Sequence, residues 1–138
     1  IDDALELIEV RLVNETLCVE LASQKFIDSH LQQLRVLNLQ IAKASESRSR
    51  EEMMLLDREF HQVLADIAGN SRLSDLLSVI HAQAQRFWAT TLSNGVHMDD
   101  VIAEHNEIID ALESGDTQRA AEAARAHIFS FKRALLST

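Results

Sequence analysis

An all-α fold, a single antiparallel bundle of about six or seven helices, is what this 138-residue sequence predicts. Three observations carry the expectation. Proline is absent and glycine occurs only at Gly69, Gly95 and Gly115, so the two residues that most disrupt helix interiors are almost missing. Apolar residues recur with a period near 3.6 along nearly the whole chain, the spacing that gathers them on one face of a helix. Aromatic residues are few and tyrosine is absent, which leaves little of the bulky material that fills a β-sandwich.

The first helix is expected over roughly Asp3 to Lys25, where Leu5, Ile8, Leu12, Val19 and Ala22 share a face. Asp28 or Ser29, both good N-caps, opens the second, which runs to about Ser45. The polar run from Ser45 to Arg50 is a link too short to separate domains. The third helix spans about Glu51 to Ala68 and stops at Gly69, the residue that most readily takes the left-handed turn of a helix end. Asn70 caps the fourth, expected to extend through Trp88 to about Leu92, and Ser93-Asn94-Gly95 reads as a turn. Asp99 or Asp100 opens the fifth, which ends at Ser114-Gly115, and Asp116 caps the sixth, which reaches Leu136. Links this short make antiparallel neighbours, and the length suits one compact domain.

The charge excludes some functions. A net charge of −9, spread along the chain, makes a poor match for a phosphate backbone, so the chain is not expected to read DNA by itself. No apolar run approaches the ~20 residues needed to cross a bilayer. The single Cys18 forms no internal disulfide, which suits the reducing cytoplasm, the expected location. The chain begins at Ile1 without a signal-peptide pattern, so a further segment is expected ahead of it.

The informative residues are those that interrupt the apolar stripes. In the third helix the stripe Met53, Phe60, Leu64, Ile67 includes Asp57 and His61, whose i, i+4 spacing puts them about 40° apart around the axis. In the fifth, Ile102, Ile109 and Leu112 surround His105; in the sixth, Ala124, Phe131 and Leu135 frame His127. Burying such groups without partners costs ~1–3 kcal/mol each. Two readings meet that cost. The four are hydrogen-bonded core residues, or they hold a divalent cation, for which three imidazoles and a carboxylate form a shell suited to zinc, nickel, cobalt, iron(II) or manganese. Of the other histidines, His30 and His97 are expected in solvent, and His81 at the edge of the interior. Met53-Met54 reads as core, and Phe87-Trp88 as core or a dimer contact. No nucleophile stands on a recognisable elbow, and Asp57-Arg58-Glu59-Phe60-His61 lacks the HExxH acid of a metallopeptidase. A metal-dependent hydrolase with a helical-bundle active site is the alternative these residues leave open.

Asp57-Arg58-Glu59-Phe60-His61 followed by Ala68-Gly69-Asn70 resembles the D-x-x-F-H…(S/A)GN signature of the C-terminal domains of FadR-subfamily GntR transcription regulators. Glu104-His105, Ile109-Asp110-Ala111 and Ser114-Gly115-Asp116 are similar to that family's EH…DA…GD segment, and Ala120 to His127-Ile128 to its closing helix. Arg11-Leu12-Val13-Asn14-Glu15 with Leu21-Ala22 resembles its opening helix, so the likeness covers nearly the whole chain, in order. The resemblance implies that residues 1–138 form an effector-binding bundle with a central cavity and a metal at its floor. A winged helix-turn-helix that contacts operator DNA would then lie in a segment outside this chain, and the regulator would be a homodimer. Carried over position by position, the metal ligands are Asp57, His61, His105 and His127, with Zn2+ the first expectation and Ni2+, Fe2+, Mn2+ or Co2+ the others. The implied effector is a small organic acid, held by the metal and by Arg11, with Arg86 a second candidate. The competing reading of Arg11 is an intrahelical pair with Glu15, weak at ~0.3 kcal/mol.

Overall fold

The computed structural model describes residues 2–89 and 95–137, and those residues form six helices: α1 (Asp2–Ala22), α2 (Asp28–Glu46), α3 (Arg50–Ala68), α4 (Ser71–Trp88), α5 (Gly95–Ser114) and α6 (Thr117–Leu136). The stop and start signals act as the sequence suggests in three places. Gly69 ends α3 at φ 69°, where a side chain would be strained, and its N–H returns to the Ala65 carbonyl. The Asn70 side chain accepts the Leu73 N–H at 3.0 Å to open α4, and Asp116 accepts the Arg119 N–H at 3.1 Å to open α6.

Two helix starts differ from expectation. The N-cap of α2 is Ile27 in extended backbone, with Asp28 already inside the first turn; the His30 ring rather than an Asp or Ser oxygen receives the Ile27 N–H. Helix α5 begins at Gly95, four residues before Asp99, so the charged pair Asp99-Asp100 lies within the helix. Of the proposed Ser93-Asn94-Gly95 turn and the extension of α4 to Leu92, residues 90–94 lie outside the described residues.

Packing is cyclic. Helix α1 packs on α6, α6 on α5, α5 on α2, α2 on α3, and α3 back on α1, which closes a ring of five; α4 lies across α1 and α3 and touches α6. Consecutive helices are therefore not always neighbours, since α1 packs with α3, α4 and α6 rather than with α2. The link after α1 is tied elsewhere: Lys25 Nζ donates to the Ala68 carbonyl at 2.8 Å, and the Ser23 and Thr117 hydroxyls meet at 3.0 Å. The bundle is held by buried Ile8, Leu34, Ile41, Phe60, Leu77, Ile108, Leu112 and Ile128, each worth ~1.5–3 kcal/mol of apolar burial. Among the described residues no helix is long and apolar enough to cross a membrane.

Candidate metal and anion site

The ring of helices turns a set of polar side chains inward, and their order follows from helix spacing. On α3, Asp57 and His61 are one turn apart. Asp57 Oδ1 lies 3.5 Å from His61 Nε2 and 3.3 Å from His105 Nε2 on α5. The His61, His105 and His127 rings each present a nitrogen within 4.8 Å of the others. Ligand atoms bound tetrahedrally to one ion at ~2.0–2.1 Å stand about 3.4 Å apart, so the Asp57 separations suit a shared ion as well as a hydrogen bond. All four residues that the sequence singles out thus meet at one place.

The outward nitrogens tell more. His105 Nδ1 lies 3.1 Å from Asn38 Oδ1 on α2, and His127 Nδ1 lies 2.7 Å from Glu104 Oε1 on α5. His61 Nδ1 lies 3.2 Å from Glu15 Oε1 on α1, a charge contact whose angle does not complete a hydrogen bond. Each Nδ1 therefore faces an oxygen, hydrogen-bonded at His105 and His127 and in charge contact at His61. At His61 and His105 the same arrangement turns Nε2 toward Asp57. Outer acceptors of this kind fix the tautomer and orientation of metal-binding imidazoles. Inside, His61 Nε2 and His105 Nε2 are buried and make no hydrogen bond. Orphaned buried nitrogens facing a carboxylate are what a cation would satisfy, so the donor set fits a borderline-soft divalent metal.

Protonation divides the cluster. Burial lowers His105 to about 4 and, together with the charge on His61 and Arg11, lowers His127 to about 3. Burial acts on His61 in the same sense, but Asp57 and Glu15 outweigh it and raise that ring to about 9. Asp57 itself is held well below the carboxylate range, its burial outweighed by His61 and His105. Three imidazoles in contact cannot all carry charge, and His61 takes it because it alone lies between two carboxylates.

A second group adjoins the first. Arg11 Nε donates to Glu15 Oε2 at 2.6 Å, with the guanidinium 5.2 Å from the centre of the Phe131 ring. Glu15 Oε1 also meets His81 Nε2 at 2.8 Å. Burial raises the Glu15 carboxyl, but Arg11, His81 and His61 together hold it well below its usual range. The pair of Arg11 with Glu15 is therefore present, and buried rather than superficial, while Arg11 also lines the central cavity beside Asp57, His127 and Trp88. The space left free there is about 20 Å³. One water needs roughly 10–15 Å³ on this measure, so the cavity as it stands admits an ion or a water.

Three placements correct the sequence reading. His97 is 4% exposed and lines the cavity, because α5 starts early enough to put it in a helical turn rather than a solvated loop. His81 is buried in the network rather than bordering it. Arg86 is exposed in an outer groove with Asp3, Glu6 and Val10, away from Arg11; two residues past the cavity-lining Ala84, it is turned about 200° from that face. Asn38, Glu104 and Glu15 as outer acceptors escape sequence reasoning. The available signal was polar residues within apolar stripes, Asn38 between Leu34 and Ile41, and Glu15 one turn beyond Arg11.

A family model described as the FCD domain matches residues 6–130. The chain belongs to the FCD family. A probable D-xylose utilization operon transcriptional repressor of Paenarthrobacter nicotinovorans is 23% identical over 129 residues, covering 94% of this chain and 56% of that protein. A solved structure of Streptococcus agalactiae GntR is 31% identical with a TM-score of 0.79, covering 94% of this chain and 58% of that one. E. coli McbR/YncC shares the fold at a TM-score of 0.87 and 15% identity, over 96% of this chain and 67% of its own. The chain thus spans little more than half the length of the first two relatives. Neither the FCD family nor these relatives, one of them named as a repressor, supports the hydrolase alternative.

Proposed function

We propose that this FCD domain is the effector-sensing and dimerisation part of a transcription regulator, binding one divalent metal and a small organic acid. Asp57, His61, His105 and His127 would hold the ion, with zinc favoured and nickel, iron(II), manganese or cobalt as the alternatives. The observation that carries this reading is the orientation of the rings: Nδ1 of His105 and His127 hydrogen-bonds outward, Nδ1 of His61 faces the Glu15 carboxylate, and the orphaned Nε2 atoms of His61 and His105 face Asp57. When bound, the ion would supply open coordination positions to an anionic oxygen. Arg11 stands at the same cavity to meet the remaining charge, and a guanidinium does that bidentately.

The free volume of about 20 Å³ is smaller than any organic acid, so the effector enters only as lining side chains move. That requirement is what a sensor needs, since a ligand that displaces helices can be felt at a distance. The P. nicotinovorans relative is described as a repressor, which supports control of an operator through a DNA-binding segment of the full-length homodimer. Elemental analysis with calorimetry tests the reading. We expect about one transition metal per chain, lost in His105→Ala and His127→Ala; retention of wild-type affinity in both variants would refute it. A thermal-shift screen of hydroxy acids, dicarboxylates and sugar acids, with and without chelator, tests the effector class. Uncharged best hits would rule out an organic acid.

A further inference from the structure

Glu15 belongs neither to the four candidate ligands nor to the cavity wall, yet it touches both halves of the site. Its side chain is 8% exposed and its two oxygens are divided. Oε2 takes the Arg11 Nε–H at 2.6 Å; Oε1 lies 2.8 Å from His81 Nε2 and 3.2 Å from His61 Nδ1. Three cationic or N–H-bearing side chains from α1, α3 and α4 thus share one carboxylate, whereas His105 and His127 each have an acceptor that no other imidazole uses.

The consequences follow from geometry. Glu15 holds the guanidinium by Nε rather than by its terminal nitrogens, and Phe131 lies under the same group, so Arg11 is kept in one orientation at the cavity. The same carboxylate faces the outer nitrogen of His61, whose inner nitrogen faces Asp57. The two oxygens belong to one rigid group, with Arg11 on Oε2 and His61 and His81 both at Oε1, so a movement of the carboxylate toward one partner changes its geometry with the others. We propose that Glu15 is a positioning residue that couples the two subsites: through it, metal on His61 alters Arg11, and an organic anion arriving at Arg11 alters His61. This rests on the metal reading above and adds the route by which ligand and ion sense each other, a coupling that must be reciprocal.

Zinc alone is the probe. The 15N–1H signal of the Arg11 Nε–H, assigned by its loss in Arg11→Lys, is followed while zinc is added to saturation and bound metal is counted in the same samples. In the wild type the signal should shift in step with one equivalent of zinc. Glu15→Gln, which removes the charge and one of the two shared acceptor oxygens, should weaken zinc about 10–100-fold, as disruption of an outer-shell partner does, and at saturation should leave Arg11 unresponsive. Glu104→Ala, which removes the partner of His127, should weaken zinc by a similar factor and leave the Arg11 response intact. Zinc uptake without an Arg11 shift in the wild type overturns this inference alone, and needs no variant to fold. A zinc-driven shift that survives in Glu15→Gln also overturns it, because the route then bypasses Glu15. Absence of zinc uptake in the wild type sinks the metal reading, and this inference with it.

Discussion

The α5–α6 side of the interior and the α1–α4 side solve the same problem differently. On the first, His105 and His127 are neutral, each turned by one acceptor, Asn38 or Glu104, and His105 is clamped by Phe60, whose ring stacks on it at 4.0 Å and 6°. On the second, Arg11, His61 and His81 carry or compete for charge around one carboxylate. Separate acceptors make ligand geometry independent of its surroundings. A shared acceptor makes it responsive. The proposed sensing role would use both, one side to keep an ion in place and the other to yield to a ligand.

The largest predicted effect breaks the rigid side. Phe60→Ala should lower unfolding free energy by ~3–5 kcal/mol, since the ring is fully buried and its loss leaves a cavity under His105. Urea denaturation measures it, and a cost below about 1 kcal/mol would mean that the clamp is loose. Next comes the ion itself. Chelation should remove roughly 4 kcal/mol of stability from protein held with free zinc 1,000-fold above Kd, read as a lower Tm. An unchanged Tm would leave the orphaned nitrogens without their proposed partner.

Smaller substitutions sharpen the contrast. Asn38→Ala should weaken zinc by about 10–100-fold through His105, with the Arg11 environment unaltered. Titration by chelator competition decides this, and an equal disturbance at Arg11 would erase the distinction between the two sides. Asn70→Ala, remote from both, should cost ~1 kcal/mol for the lost cap on the Leu73 N–H and leave metal affinity unchanged. Calorimetry of the variant separates stability from binding.

The mildest test concerns Cys18, buried on α1 below Glu15. Burial, then the Glu15 charge, pushes its thiol from 9.0 up to about 12. A raised folded-state pKa means its contribution to stability is complete below about pH 9 and is lost as pH climbs toward 12. A thiol reagent at pH 8 should therefore label denatured protein and spare the native fold. Rapid native labelling would show that the α1 side opens freely.

Local chemistry was legible in the sequence wherever one helix decides it. Absence of proline, the 3.6-residue period, the Gly69 end and the Asn70 and Asp116 caps depend on neighbours within a turn or two, so they could be read directly. The inward direction of Asp57, His61, His105 and His127 was equally legible, since each sits in its own helix's apolar stripe. What those stripes met was not. That Asn38 turns His105, that Glu104 turns His127, and that Glu15 serves Arg11, His61 and His81 at once depends on side chains 23 to 67 positions apart, except for the Arg11 pair. The placement of His97 turned on where α5 begins, and Arg86 fell outside because helix rotation carried it off the cavity face. A helix fixes which way its own residues point through 100° steps, whereas only the closed ring of helices decides which residue is waiting on the other side.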